Sequence, residues 1–205
     1  MKLTRLVLGE LDTNCYLISA ENGEGIIVDP ADDADAILNA IEKESVTVKA
    51  VVLTHVHFDH MMAAEAVCAA TNAPLYVGEG DREALSDPNR NLSVWFSSDN
   101  PLTLSEASYL NEGDVLTFGE EKLTVMETPG HTPGCICLYT EGTLLSGDTL
   151  FRNSIGRLDF PGGNPQAMAK SLERLLKLPG ETEVYSGHGP STTIEWEIKT
   201  NPFLG

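Results

Sequence analysis

The amino-acid sequence predicts a layered α/β protein built as one domain. Two observations carry this expectation. Short apolar runs of strand length alternate with amphipathic helical stretches in both halves of the chain, and no Pro/Gly/Ser-rich or charged linker divides the halves. The length of 205 residues agrees, because one domain of that size buries enough apolar surface to need no disulfide staple.

Taken in order, residues 3–8, 15–20 and 25–28 read as strands, and Asp29-Pro30 stops the third. Residues 32–44 form a helix because Ala34, Ile37, Leu38 and Ile41 fall on one face. Residues 49–53 are a buried strand, 61–71 an Ala-rich helix and 74–77 a short strand. Residues 87–103 lack periodicity and carry Pro, Asn and Ser around Trp95 and Phe96. They are expected to form a lid or binding loop, or a surface excursion anchored by the two aromatics. Residues 114–118, 122–127, 135–140 and 143–146 are strands separated by Gly, Glu and Pro turns. Asn164-Pro165 supplies an N-cap and a proline at the first helical position. The stripe Met168, Leu172, Leu175, Leu176 follows, up to a stop at Pro179-Gly180. A strand at 183–186 and a helix from about 191 to 199 complete the chain.

The chain carries 31 acidic and 13 basic residues, a formal net charge of −18. That balance argues against sequence-independent nucleic-acid binding, which needs Lys and Arg on phosphates, and against anionic membranes. No run approaches the roughly 20 apolar residues of a membrane span. Residues 1–14 hold Lys2, Arg5, Glu10 and Asp12 without a continuous apolar core, unlike a signal peptide, so a cytoplasmic location is expected. The four cysteines then read as reduced thiols. Cys15 and Cys68 are expected in the core, Cys135 and Cys137 on one strand face, and Trp196 in packing.

Three of the five histidines lie in Thr54-His55-Val56-His57-Phe58-Asp59-His60, directly after an apolar strand. Residues two apart on an extended chain point the same way, so His55 and His57 can approach one ion. Asp59 and His60 sit where the chain turns into a helix and can face a second position. His131 lies in Pro129-Gly130-His131-Thr132-Pro133-Gly134 and His188 in Gly187-His188-Gly189-Pro190, each after a strand-like run. Asp148, in Ser146-Gly147-Asp148-Thr149, follows a fourth strand. Imidazole with carboxylate suits Zn, Fe or Mn, and no cysteine joins the set.

This order and spacing of motifs resembles the metallo-β-lactamase superfamily over almost the whole chain. The runs Gly147-Asp148-Thr149-Leu150-Phe151 and Gly156-Arg157-Leu158-Asp159-Phe160-Pro161-Gly162-Gly163 resemble its small glyoxalase II-like hydrolases. So do Thr13-Asn14-Cys15-Tyr16, Val28-Asp29-Pro30 and the ending Asn201-Pro202-Phe203-Leu204. The resemblance implies a four-layer αββα sandwich over residues 1–205, with the metals at one edge between the sheets. It implies that His55, His57 and His131 hold one divalent ion, that Asp59, His60 and His188 hold the other, and that Asp148 bridges them. Zinc is the first expectation for the ions, with iron and manganese admitted.

Such a pair of ions holds a bridging hydroxide that attacks a carbonyl, with Asp59 receiving or relaying its proton. The implied reaction is hydrolysis of a small-molecule thioester such as S-(hydroxyacyl)glutathione, with Arg157 holding an anionic end of the substrate. Larger glyoxalase II enzymes add a C-terminal helical region that binds glutathione. The chain runs 17 residues past His188, and no such substrate domain is expected. The alternatives are a persulfide dioxygenase with one iron, which resembles the first motif and Gly156-Arg157-x-Asp159-Phe160, and a hydrolase of another ester or lactone. A true β-lactamase would need export.

Overall fold

Two six-stranded sheets stack face to face, with helices on both outer faces, in a computed structural model that describes residues 1–96, 99 and 101–204. The first sheet runs in chain order: β1 (Lys2–Leu8), β2 (Thr13–Ser19), β3 (Glu24–Val28), β4 (Thr47–Val52), β5 (Leu75–Gly78) and β6 (Ser108–Leu110). Its first three strands are antiparallel hairpins, and β3 to β6 are parallel. Parallel neighbours need crossovers. Helix α1 (Ala34–Glu44) supplies the first; α2 (Phe58–Met61) and α3 (Ala64–Thr71) supply the second. After α4 (Ser93–Phe96) and β6 the chain enters the other sheet as an antiparallel meander of β7 (Val115–Phe118), β8 (Glu121–Glu127), β9 (Ile136–Thr140) and β10 (Thr143–Gly147). The small hairpin β11 (Leu150–Phe151) and β12 (Ser154–Ile155) and helix α5 (Pro165–Leu175) lead to β13 (Glu183–Ser186), which pairs parallel to β10. β14 (Thr192–Thr193) and α6 (Ile194–Thr200) end the fold.

Period-2 alternation on strands buried on both faces builds three cores. Tyr16, Ile18, Ile26 and Val28 face Phe118, Leu123, Val125 and Leu138 between the sheets. Leu17, Ile27 and Val51, one residue out of phase, pack under Ile37 of α1 and Val67 of α3. Leu144 and Val184 pack under Met168, Leu172 and Leu175 of α5 and Ile194 of α6. Each fully buried side chain of this size contributes about 1.5–3 kcal/mol. The layers are therefore αββα, as the resemblance implied.

The departures from expectation have local causes. The helix expected at 61–71 is broken between Met61 and Ala64. The Met62 and Ala63 amides donate to Ala31 O (3.1 Å) and Pro30 O (3.0 Å), outside their own helix. The last helix starts at Ile194 and not near 191, because Thr192–Thr193 joins the sheet edge and the Thr193 hydroxyl caps the helix at Trp196 N (3.2 Å). Helix α5 begins where expected, with Asn164 Oδ1 accepting from Ala167 N, but it ends at Leu175, before Pro179-Gly180. Strands β6, β11 and β12, of two or three residues, are too short to carry a period.

Of the 87–103 stretch, residues 97, 98 and 100 lie outside the described residues, and α4 occupies part of the rest. All four cysteines are free. Cys137 faces the outer cluster, whereas Cys135 precedes β9 with its Sγ 3.1 Å from Thr132 Oγ1, so the two do not share a strand face. Trp196 is partly exposed, its Nε1 donating to Asn153 Oδ1 (2.9 Å). Among the described residues no helix is long and apolar enough to cross a membrane.

Candidate metal centre

Strands β4, β8, β10 and β13 all end at one edge of the sandwich, and each delivers part of the histidine and aspartate set there. After β4 the chain stays extended through His57 (φ −70°, ψ 145°), which puts His55 Nε2 and His57 Nδ1 3.1 Å apart. Helix α2 then turns Asp59 and His60 inward. His131, from the loop after β8, brings its ring within 4.8 Å of His55 and 4.6 Å of His57, centroid to centroid. Asp148 follows β10. Its carboxylate lies 3.4 Å from His60 Nε2, 3.6 Å from His131 Nε2 and 3.7 Å from His188 Nε2. His188, after β13, also lies 3.3 Å from Asp59 Oδ2. The seven residues singled out as ligands converge on one spot.

Three subsets each offer one ligand atom per residue within 4.8 Å of the others: His55, His57 and His131; His55, His60 and Asp148; Asp59, His60 and His188. The chemistry fits divalent ions. His60 Nε2, His131 Nε2 and Asp148 Oδ1 are buried and have no hydrogen-bond partner among the described residues. An unsatisfied buried polar atom costs about 1–3 kcal/mol. Facing the Asp148 carboxylate across 3.4–3.6 Å, the two nitrogens form with it a cradle that a cation satisfies.

The opposite nitrogens of His131 and His188 are hydrogen-bonded elsewhere, which fixes those two tautomers, and those of His55 and His60 face protein oxygens. His131 Nδ1 donates to Arg157 O (2.7 Å) and His188 Nδ1 to Leu11 O (3.1 Å). His60 Nδ1 lies 3.0 Å from Asp29 Oδ2, and His55 Nδ1 lies 3.3 Å from Thr54 Oγ1.

Electrostatically the cluster is uneven. Burial, reinforced by the surrounding histidines, holds His55 and His57 well below the usual imidazole range. Burial also opposes charge on His60, but Asp59, Asp148 and Asp29 outweigh it and push the group up to about 10. His188 is raised in the same way by Asp59 and Asp148 against the burial cost. Burial disfavours the Asp59 carboxylate, yet His60, His188 and His57 carry it far below the ordinary range.

Sequence reasoning missed the groups that hold this set. Asp29, read as a strand stop and as part of a family motif without a role at the centre, accepts from Thr54 N and Thr54 Oγ1 (both 2.7 Å) besides facing His60. Asp81, buried, accepts from Thr132 Oγ1 (2.8 Å), Gly134 N (2.8 Å) and Val56 N (3.2 Å), tying the His57 segment to the His131 loop. Burial raises its pKa despite these three donors. Thr13 Oγ1 donates to Asp59 Oδ2 (3.1 Å), and Asn14 Nδ2 donates to Ser186 O and Gly189 O around His188. Gly187 is required sterically, because a Cβ there would stand 2.2 Å from Asp148 Oδ1 and 2.6 Å from His60 Cε1.

Arg157 enters the centre through its carbonyl. Its guanidinium is exposed, bonded bidentately to Asp159 (2.8 and 2.7 Å) and lies 3.9 Å from the centroid of the Phe160 ring.

Residues 8–188 match the metallo-beta-lactamase superfamily. The chain is 36% identical to a probable metallo-hydrolase, YqgX, of Bacillus subtilis over all of this chain and 98% of that protein. It is 30% identical to the hydroxyacylglutathione hydrolase GloC of Haemophilus influenzae over 93% and 92% of the two chains. Among solved structures, BLEG-1 B3 metallo-beta-lactamase superposes with a TM-score of 0.93 at 39% identity, over 99% of both chains. TTHA1623 in a di-iron-bound form superposes with a TM-score of 0.87 at 36% identity, over 98% of this chain and 100% of that one.

Proposed function

The chain belongs to the metallo-beta-lactamase superfamily, and from that premise we propose that it is a two-metal hydrolase of a small thioester such as S-(hydroxyacyl)glutathione. The observation that carries the reading is the Asp148 carboxylate, within 3.4–3.7 Å of His60, His131 and His188, so that it touches both halves of the cluster. In this reading His55, His57 and His131 hold one ion, Asp59, His60 and His188 the other, and Asp148 is shared. A mononuclear site of two histidines and one aspartate, as in a persulfide dioxygenase, would leave the second trio without a role.

When bound, divalent ions held by these residues would supply an acidified water as nucleophile and polarise the scissile carbonyl. The chain's own residues do the rest. The carbonyls of Arg157 and Leu11 keep the His131 and His188 rings aimed inward. Asp59, held ionised and bonded by Thr13, is a ligand first; a proton arriving at its Oδ2 is passed on and not retained. Arg157 meets an anionic substrate end by exchanging Asp159 for it, an exposed ion pair that water and salt screen. The likeness to the Haemophilus hydroxyacylglutathione hydrolase supports the thioester class, and the di-iron neighbour keeps iron beside zinc and manganese as the ion.

A second reading, hydrolysis of a β-lactam, is favoured by the likeness to BLEG-1. Elemental analysis of the purified protein, run beside S-lactoylglutathione, other acylglutathiones, a chromogenic cephalosporin and oxygen uptake with glutathione persulfide, separates the readings. Two metals per chain with thioester turnover is expected. One iron with oxygen uptake, or turnover of the cephalosporin alone, overturns it.

A further inference from the structure

We propose that Trp95 and Phe160 determine acyl-group selectivity, forming an apolar wall beside the ligand cluster against which a medium-length apolar acyl chain rests. The proposal builds on the thioester reading above. The Phe160 ring stands edge-on to His57, with centroids 5.7 Å apart, and 6.4 Å from His131. Trp95 meets Phe160 edge-on at 5.5 Å. Ring contacts therefore run unbroken from a ligand histidine to an indole that is 65% exposed. That much open aromatic surface gains free energy when an apolar group covers it.

The wall is fastened to the site. Phe58, next in sequence to His57, stacks on Phe96 at 5.1 Å, and its amide donates to the carbonyl of buried Asn91 (2.8 Å). Asn91 Nδ2 and Ser93 Oγ both donate to Leu102 O (2.9 and 3.0 Å), anchoring the start of α4, which carries Trp95.

The test uses the metal-loaded full chain with acetylglutathione and hexanoylglutathione. The ratio of kcat/KM for hexanoyl over acetyl falls about tenfold in Trp95→Ala and in Phe160→Leu, and does not move in Trp196→Ala. Independently of turnover, Trp196→Phe leaves Trp95 as the single tryptophan of the two. Its emission shifts to the blue and saturates with S-hexylglutathione, a thioether that cannot be hydrolysed, and not with S-methylglutathione. A ratio unchanged by both wall substitutions, or equal emission responses to the two thioethers, overturns the proposal. If neither thioester is turned over while S-hexylglutathione still shifts the emission, the thioester reading fails and the apolar wall stands.

Discussion

The two ligand groups of the centre are built from different material. His55, His57 and His131 are buried imidazoles, and burial keeps the first two neutral. Asp59, His60 and His188 mix a carboxylate with imidazoles whose pKa it and Asp148 raise, and His188 keeps 29% of its side chain exposed. The supports differ as well. Asp81 braces the first group through backbone and hydroxyl donors, the start of β2 braces the second, and Asp29 reaches both, through Thr54 beside His55 and through His60. The lesson is that His55 and His57 already stand in their metal-binding protonation state, while His60 must give up a proton to a cation. Metal entering the second group therefore displaces a proton from His60, whereas His55 and His57 have none to give. Occupancy of the second group rises with pH as the cation displaces that proton. Calorimetric titration of the metal-free chain in buffers of different ionisation enthalpy reads this directly.

Removing the residue common to both groups has the largest effect. Asp148→Ala should lower thioester turnover by about 10³-fold or more and weaken binding of both ions, seen as metal content after gel filtration. Next come the single-group ligands. His188→Ala should leave one tightly held ion, in the buried trio, whereas His131→Ala should leave one weakly held ion that a mild chelator strips. Equal losses in the two variants would erase the distinction between the groups.

The braces come after the ligands. Asp81→Ala strands Thr132 Oγ1 and the Val56 and Gly134 amides. It should cost about 10–100-fold in affinity at the first group with little change at the second. Thr13→Val removes one hydroxyl from Asp59 Oδ2 and should cost about tenfold at the second group only. Competition with a fluorescent chelator measures both, and an effect of either variant on the opposite group would count against separate support.

Much of this was legible in the sequence, for physical reasons. Strands such as β3 and β4 declare themselves because both faces are buried and no polar residue interrupts Ile26–Ile27–Val28 or Val51–Val52. Helix α5 declares itself through Asn164, Pro165 and a leucine stripe. The seven candidate ligands were legible because histidines are scarce, three of the five crowd into residues 55–60, and His131, Asp148 and His188 adjoin glycines. The braces were not. Asp29 and Asp81 are lone aspartates whose partners, Thr54, His60 and Thr132, come from distant elements. No local pattern marks an acceptor whose donors arrive only on folding. The break at Met62–Ala63 was hidden for the same reason, since its amides answer to Pro30 and Ala31. Arg157 was legible as a cation, but its carbonyl's hold on His131 was not, because backbone roles leave no trace in residue type.

The central claim is that two ion sites share Asp148. Metal stoichiometry measured by elemental analysis on the wild type, His188→Ala and Asp148→Ala chains, each equilibrated with the same buffered divalent ion, tests it most directly. The account predicts two ions per chain, then one, then fewer than one. One ion in the wild type, or two in Asp148→Ala, would contradict it.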